Sequence, residues 1–326
     1  MDTVKIGIIG TGWIAEKMAI TLEGMEGVEA YAVASRQLQT ACDFADRWGF
    51  TRAYGSYEEM LDDEEVELVY IATPHSHHFE HARMSLLKGK AVLCEKAFTA
   101  NARQAEELLN LAKAKELFIT EAIWTRYMPL SHTINDLVTS GIIGRPMTLS
   151  ANLGYPIGNR ERLRQPALAG GALLDLGVYA LNFASMVFGT EVERVTSTCV
   201  KTDTGVDAQN SITLTFKDGK IAVLHSSMLS MTDRQGIISG DKGHLIIENI
   251  NNPQRIRVVT EDYKTAVVYN CPPQITGYEY QVYASMEALR NGWLESPYMP
   301  HAETLRIMRM MDDLRREWGV RYPADE

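Results

Sequence analysis

The stretch VKIGIIGTGWIAEKMAITLEGMEGVEAYAVASR, which runs from Val4 to Arg36, predicts the fold of the first part of the chain. Val4–Ile9 is a short apolar run that suits a buried parallel strand, and Val28–Ala34 is a second one. Between them, the pattern G-x-G-x-x-A occupies residues 10–15, and residues 12–22 read as a helix. Strand, turn, helix and strand therefore follow one another as in the βαβ unit of a dinucleotide-binding site.

The small residues of this turn each have a physical role in such a site. Gly10 permits the tight turn, Gly12 lets the backbone approach the pyrophosphate, and a small residue at position 15 lets the helix pack closely on the strands. The free N–H groups at the start of the helix then face the phosphates. An ordinary strand–turn–helix connection is the alternative, but the register of the four elements favours a dinucleotide site. The residues predicted to contact the cofactor here are Gly10, Thr11, Gly12, Trp13 and Ile14.

The end of the second strand indicates which cofactor is used. NAD sites usually place Asp or Glu there to bind the ribose 2′-OH, whereas this chain has Ser35 and Arg36. A hydroxyl next to a guanidinium suits a 2′-phosphate, which predicts NADP rather than NAD. The alternative is that Arg36 stacks on adenine and that both cofactors bind.

Further apolar runs alternate with helical segments up to residue 121, which predicts an α/β fold with a parallel, doubly wound sheet and right-handed crossovers. Two of the runs end at Ala72 and Cys94. Ligands of such sheets bind at the carboxyl ends of the strands, so the residues that follow are expected at the cofactor. Those residues are Thr73, Pro74, His75, His78, Glu95 and Lys96.

Strands dominate the chain from about Ala122 onward, and Asp218-Gly219 is a two-residue hairpin turn. Consecutive strands without intervening helices predict an α+β domain with a large, open, mostly antiparallel sheet. The predicted domains are therefore an NAD(P)-binding Rossmann domain at 1–121 and a substrate-binding and oligomerisation domain at 122–326. One face of the second sheet would lack a cover, which favours a homodimer formed through that sheet.

Charge and cysteine content indicate which partners and which cellular compartment to expect. The formal net charge of −10 argues against nucleic acid or an anionic membrane as a partner. The four cysteines are widely spaced and form no C-x-x-C pair, which is typical of reduced thiols in a cytoplasmic protein. No apolar stretch reads as long enough to span a bilayer, and no leader is evident before the first strand. We therefore expect a cytoplasmic protein that acts on a small molecule.

Two clusters carry side chains suited to acid–base chemistry. Lys96 directly follows a central strand, and partial burial beside a cofactor suits proton exchange, whereas a purely phosphate-binding lysine is the alternative. Glu95 would hold the cofactor or orient the lysine.

The second cluster lies in GGALLDLGVY, residues 170–179. Asp175 and Tyr179 are spaced i, i+4 and project from one face of a helix. An aspartate among apolar residues needs partners, either a substrate hydroxyl with Lys96 and Tyr179, or a neighbouring loop that it pins.

These motifs, in this order and spacing, resemble the Gfo/Idh/MocA oxidoreductases over nearly the whole chain. Residues 121–129, EAIWTRYMP, are similar to the segment in the branch of dimeric dihydrodiol dehydrogenase and D-xylose dehydrogenase, which also carries tyrosine where Tyr179 stands. The resemblance implies a nicotinamide cofactor, often NADP, and a Rossmann domain followed by an open-sheet domain. It also implies that Lys96 and Tyr179 handle the hydroxyl proton, with Asp175 orienting them or the substrate.

The resemblance further implies that Trp124 and Arg126 line the cofactor site and that no metal is used. One departure is Ala97, since the family motif usually has proline after the lysine. His77 and His81, spaced i, i+4, are the residues that would bind a metal, but no third ligand is evident, which favours a polar helix face.

The sequence as a whole predicts an NADP-dependent dehydrogenase acting on a CH–OH group of a sugar, polyol or cyclic diol. The alternatives are a regulator that binds the cofactor without turnover and a structural subunit with a vestigial site. Three arginines precede the Gly-Gly pair and would either reach an anionic ligand or, as we expect, lie in a solvated loop. They are Arg160, Arg162 and Arg164.

Overall fold

The computed structural model describes residues 3–326, which fall into two compact units. The main segment of the first unit ends at Ile123, and this unit also takes in Gln274–Arg309. The second unit comprises Trp124–Pro273 and Met310–Glu326. The sequence placed 274–309 in the second domain, whereas these residues pack with the first unit.

The first unit contains a six-stranded, entirely parallel sheet, which confirms the predicted doubly wound fold. The strands are β1 (Val4–Ile9), β2 (Val28–Ala34), β3 (Arg52–Tyr54), β4 (Leu68–Ile71), β5 (Ala91–Glu95) and β6 (Ile119–Ala122). Their order in the sheet is β3-β2-β1-β4-β5-β6. The helices of this part are α1 (Trp13–Glu23), α2 (Leu38–Trp48), α3 (Tyr57–Leu61), α4 (His75–Leu87) and α5 (Ala102–Lys115).

The carboxyl ends of the parallel strands collect the predicted cofactor residues at one edge of the sheet. Gly10, Ser35 and Lys96 directly follow β1, β2 and β5, and Thr73 comes two residues after β4. The strand order reverses between β1 and β4, and this switch point is where doubly wound sheets open a crevice for ligands.

A late helix completes the core of the first unit. Helix α9 (Glu279–Asn291) places Val282, Met286 and Ala288 in the same buried cluster as Val4 and other residues of β1. Thr276, just before it, lies 2.6 Å from the Thr21 hydroxyl of α1. The sequence could not predict this packing, because the pattern of an amphipathic helix shows that one face is buried but does not show against which sheet.

The second unit contains an eight-stranded, mostly antiparallel sheet, which confirms the predicted α+β part. Its strands are β7 (Pro146–Gly154), β8 (Val192–Lys201), β9 (Asp207–Phe216), β10 (Ile221–Ser227), β11 (Gly236–Gly240), β12 (Gly243–Glu248), β13 (Arg255–Thr260) and β14 (Thr265–Asn270). They run in the order β14-β13-β12-β11-β7-β10-β9-β8, and only β7 and β10 pair in parallel. The helices beside this sheet are α6 (Pro129–Thr139), α7 (Glu161–Arg164) and α8 (Val178–Phe188), and α10 (His301–Trp318) follows α9.

Helix α8 is preceded by one turn of π-helix, Leu173–Gly177, and the two together form a long apolar element. Contrary to the sequence expectation, Pro166–Phe188 is long and apolar enough to cross a membrane, with a mean hydropathy of 1.5. However, 83% of its most apolar window is buried inside the protein, as in the core helix of a globular domain.

Candidate active site

The glycine-rich turn after β1 has the backbone that a dinucleotide site requires. Gly10 has φ +107°, and a Cβ there would lie 3.0 Å from the carbonyl oxygen of Ala72. Gly12 caps α1 with no side chain, and a Cβ at this position would meet no atom within 4 Å. Ala15 is fully buried. Gly10 is therefore needed by the fold, whereas Gly12 leaves space in front of the N–H groups at the start of α1.

This difference gives a prediction about Gly12. We expect Gly12→Ala to leave the melting temperature unchanged, because the added methyl group enters open space. It should weaken NADP binding about 5-fold to 100-fold, the effect of overpacking a contact at the pyrophosphate. Fluorescence titration with NADP measures the affinity. Gly10→Ala is the contrast and should lower the melting temperature, and undiminished affinity in Gly12→Ala would contradict the assignment.

The end of β2 places a cation beside aromatic rings. Arg36 is exposed, and its charge acts on Tyr57 and His81. The rings of Tyr57 and His81 meet edge to face, with centroids 4.6 Å apart. Burial, together with the nearby charges, lowers the pKa of His81 to about 4. This group offers a guanidinium and flat apolar surface, which suit a phosphate and a purine.

His78, after β4, is fully buried and ties two loops of the edge together. Its Nδ1 lies 2.8 Å from the carbonyl oxygen of Ala97, and its Nε2 lies 2.8 Å from that of Thr73. Burial lowers the pKa of His78 to about 4, although both carbonyl contacts act to raise it. A neutral imidazole has one N–H, so it donates to only one of these carbonyls. His78 thus holds the two loops in place through their backbone carbonyl groups. Its predicted contact with the cofactor stays a prediction.

At the end of β5, Glu95 is buried and held by its own sheet. It accepts a hydrogen bond from the hydroxyl of Tyr70, and its second oxygen accepts the backbone N–H of Lys96 at 3.2 Å. Lys96 is half-buried, and the Lys96–Ala97 peptide bond is cis. The nearby Phe98 N–H donates to Glu121 at 3.2 Å. The lysine therefore extends from a backbone fixed by two buried carboxylates.

In the second unit, the segment after β6 lies against α8. The indole N–H of Trp124 donates to the hydroxyl oxygen of Tyr179 at 2.9 Å. The guanidinium of Arg126 donates to Asn182 at 2.6 Å and to Ser185 at 3.4 Å. Trp124 thus fixes the position of the phenol oxygen. The predicted roles of Trp124 and Arg126 at the cofactor, and the convergence of Lys96 with Tyr179, stay predictions.

Asp175 has a partner on the loop before it, which is one of the two alternatives left open for this aspartate. Arg162, expected in a solvated loop, donates to the carboxylate of Asp175 at 3.1 Å. The side chain of Asp175 is only 6% exposed, and that of Arg162 is 39% exposed. A buried carboxylate is costly without a counter-charge, and Arg162 supplies one. The ion pair therefore anchors the loop to the π turn.

The histidine pair on α4 is partly buried, unlike the polar helix face that the sequence indicated. His77 and His81 stack with centroids 5.8 Å apart, and the Nδ1 of His81 lies 3.0 Å from the hydroxyl of Thr73. Within residues 3–326, no group of three or more His, Cys, Asp or Glu side chains is arranged to hold a metal ion. The absence of a metal cofactor stays a prediction.

Sequence reasoning missed a buried carboxylate beneath the π turn. Asp207 opens β9 and accepts the N–H of Leu173 at 2.7 Å. Just before the π turn, Tyr322 donates to the carbonyl oxygen of Gly170 at 2.5 Å. The sequence around Asp207 and Tyr322 gave no signal of these contacts, since hydrogen bonds across 34 and 152 residues leave no local pattern.

Two family models match this chain. An oxidoreductase family with an NAD-binding Rossmann fold matches residues 4–122, and the GFO/IDH/MocA C-terminal domain matches residues 131–246. Trans-1,2-dihydrobenzene-1,2-diol dehydrogenase of Mus musculus is 33% identical over 99% of both chains. D-xylose 1-dehydrogenase (NADP(+)) of Hypocrea jecorina is 36% identical over 98% of this chain and 93% of its own.

Among solved structures, KijD10, a 3-ketoreductase from Actinomadura kijaniata in complex with NADP and TDP-benzene, has a TM-score of 0.88. It is 26% identical in sequence, and the match covers 97% of this chain and 98% of that one. Both halves of the chain thus match the same family along their length. The chain belongs to the Gfo/Idh/MocA family of oxidoreductases, as its motifs predicted.

Proposed function

We propose that this oxidoreductase is an NADP-dependent dehydrogenase that acts on a CH–OH group of a sugar, polyol or cyclic diol. Family membership and relatives named for a diol and for D-xylose support the substrate class. The observation that carries the proposal lies within the first unit. The open turn at Gly12 and the half-buried Lys96 lie at the same edge of one parallel sheet, at the ends of strands separated only by β4.

The residues of the first unit fit a dinucleotide. The space at Gly12 and the N–H groups at the start of α1, which the N-cap residue does not cap, suit the pyrophosphate. Arg36, beside the rings of Tyr57 and His81, suits the adenosine 2′-phosphate. Bound NADP+ would accept the hydride in an oxidation, and bound NADPH would donate it in a reduction.

The chain itself supplies the proton chemistry. Loss of hydride from the substrate carbon leaves the hydroxyl strongly acidic, so a base must take its proton. We assign this proton to Tyr179 and Lys96. Tyr179 can take it only as a phenolate, which becomes a neutral phenol when the proton arrives, and the indole N–H of Trp124 stabilises that phenolate, because a donor favours the charged form of its acceptor. Asp175, paired with Arg162, orients the substrate or the phenol.

An activity screen tests the proposal. Aldoses, inositols and cyclic diols are incubated with NADP, and reduction is read at the nicotinamide absorbance. Turnover of at least one class supports the proposal. Binding of NADP in a fluorescence titration without turnover of any substrate would favour the regulator, and failure to bind NADP would favour a vestigial site.

The cofactor preference gives a second prediction. Arg36→Gln should weaken NADP binding about 10-fold to 100-fold, because a charge-assisted hydrogen bond contributes roughly 1.5–3 kcal/mol. NAD has no 2′-phosphate, so its affinity should stay the same. Michaelis constants for both cofactors with one substrate give the comparison. Equal constants in the wild type, or equal losses for both cofactors, would exclude a 2′-phosphate role for Arg36.

We also propose a homodimer formed through the outer face of the eight-stranded sheet. Residues in one row across six neighbouring strands point to the same face, and two of them, Val223 and Val268, are exposed and apolar. This row consists of Val223, Ser150, Ile237, Ile246, Arg257 and Val268. An apolar sheet face open to water favours pairing with a second copy. Sedimentation should give twice the chain mass of 36.5 kDa, and a monomer would reject the proposal.

The cytoplasmic location is likewise a proposal. Cys42, Cys94 and Cys199 carry free thiols, which suits a reducing compartment. Cell fractionation tests the proposal, and recovery of the protein outside the cytoplasmic fraction would contradict it.

A further inference from the structure

The helix start that carries the candidate catalytic residues has no cap of its own. Asp175 and Tyr179 lie on the π turn and at the beginning of α8, after the Gly170-Gly171 pair. Ala172 at the N-cap position provides no side-chain acceptor for the first N–H groups. A distant residue, Asp207, fills that role.

Asp207 is 0% exposed, and its carboxylate lies directly under the turn. One oxygen accepts the N–H of Leu173 at 2.7 Å and the side-chain amide of Asn210 at 2.9 Å. The other oxygen is buried and has no hydrogen-bond partner among residues 3–326. A Cβ on Gly171, where φ is +118°, would lie 2.2 Å from it. Glycine at 171 therefore lets the carboxylate reach the helix start.

The segment after α10 holds the other side of the same turn. The Tyr322 hydroxyl donates to the carbonyl oxygen of Gly170 at 2.5 Å. Arg315 stacks on the Tyr322 ring at 4.3 Å and pairs with Asp325 at 2.7 and 3.0 Å. Arg315 also donates to Asp312 at 2.7 Å. Arg315 itself is buried, and its pairing with these two carboxylates fixes the ring and hence the turn.

The surroundings of Asp207 make it titrate in an unusual range. Burial raises the pKa of Asp207 to about 7, while its hydrogen bonds and the charge of Arg315 act to lower it. Burial and the Asp207 carboxylate raise the pKa of Tyr322 above its usual range, so its hydroxyl stays a neutral donor. Cys199 of β8 also faces Asp207, and burial together with that carboxylate raises the pKa of its thiol.

We propose that Asp207 and Tyr322 are positioning residues, which hold the Gly170-Gly171 turn so that Asp175 and Tyr179 stand in their productive geometry. The proposal rests on the proposed dehydrogenase function. It assigns a catalytic effect to two residues that bind neither substrate nor cofactor. Small displacements of catalytic groups cost rate rather than binding, so the effect belongs to kcat.

Two isosteric variants test the proposal. Asp207→Asn keeps an acceptor for the Leu173 N–H but removes the titrating charge, and Tyr322→Phe removes only the hydroxyl. Each should lower kcat about 10-fold to 100-fold and leave the Michaelis constant for NADP unchanged. The matched controls, Asp262→Asn and Tyr263→Phe, change an exposed hairpin residue of the same type, and both should behave as wild type.

The pH profile separates positioning from a general loss of stability. The kcat of wild type divided by that of Asp207→Asn should change between about pH 6 and pH 8, where Asp207 ionises. Because its folded pKa is raised, the stability that Asp207 contributes is present below about pH 4 and is lost as the pH rises through 7. As the pH rises from about 4 to about 7, the melting temperature of wild type should therefore fall relative to that of Asp207→Asn.

A wild-type kcat in folded Asp207→Asn, with a constant ratio across the pH range, would overturn the role of Asp207. If Asp207→Asn does not fold, Tyr322→Phe decides by its kcat, and a wild-type value overturns the proposal. The proposed function is judged separately, by whether the unmutated chain binds NADP and turns over any substrate.

Discussion

Replacing Lys96 by methionine should lower kcat about 100-fold to 10,000-fold while NADP still binds. This is the contribution that a positioned proton acceptor or donor typically makes. Methionine has nearly the length of lysine and removes the ammonium group without disturbing the backbone that Glu95 and Glu121 fix. Steady-state kinetics on the substrate found in the screen gives kcat, and fluorescence titration gives the affinity for NADP.

A second substitution separates the two roles considered for Lys96. Arginine keeps the positive charge but cannot release a proton in a protein. Lys96→Arg should therefore be as slow as Lys96→Met if the lysine exchanges protons, and should recover most of the activity if it only binds phosphate. Lys113→Met, on the exposed face of α5, is the matched control and should leave kcat unchanged. Near-normal turnover in Lys96→Met would remove Lys96 from the chemistry.

The first sheet could be predicted closely because its signals are local. Strands β1 and β2 begin and end where the apolar runs do, since a strand buried on both faces reads as a continuous apolar run. The glycines that end β1 then fix the turn and the edge at which ligands bind. The carboxyl-end residues, including Lys96, followed from the alternation of strands and helices.

The second part of the site could be predicted only in part. The spacing of Asp175 and Tyr179 put both on one helical element, but the π turn beneath them has no sequence signature. The residues that form hydrogen bonds with this element lie elsewhere in the sequence. They are Arg162 on a loop, Asp207 at the start of β9 and Tyr322 after α10. Burial of a polar group can be expected from its apolar neighbours, whereas the identity of its partner depends on the tertiary fold.

Replacing Tyr179 by phenylalanine should also lower kcat about 100-fold to 10,000-fold, because the phenol oxygen is the group assigned to the substrate proton. The variant also deprives the Trp124 N–H of this acceptor, which should cost about 1 kcal/mol of unfolding free energy. Tyr263→Phe, at a tyrosine that is 86% exposed, is the control and should match wild type in both measurements.

The hydrogen bond between Trp124 and Tyr179 allows a sharper test of the same role. Trp124→Phe keeps the phenol but removes the N–H that stabilises charge on it, so kcat should fall about 10-fold to 100-fold, the value of one charge-assisted hydrogen bond. Once Tyr179 is phenylalanine, nothing is left for that N–H to stabilise. The double variant should therefore be no slower than Tyr179→Phe alone, since groups that act as a unit are not additive. A double variant slower by the full product of both effects would mean that Trp124 acts on the reaction independently of the phenol, and the assignment of the proton to Tyr179 would lose its structural support.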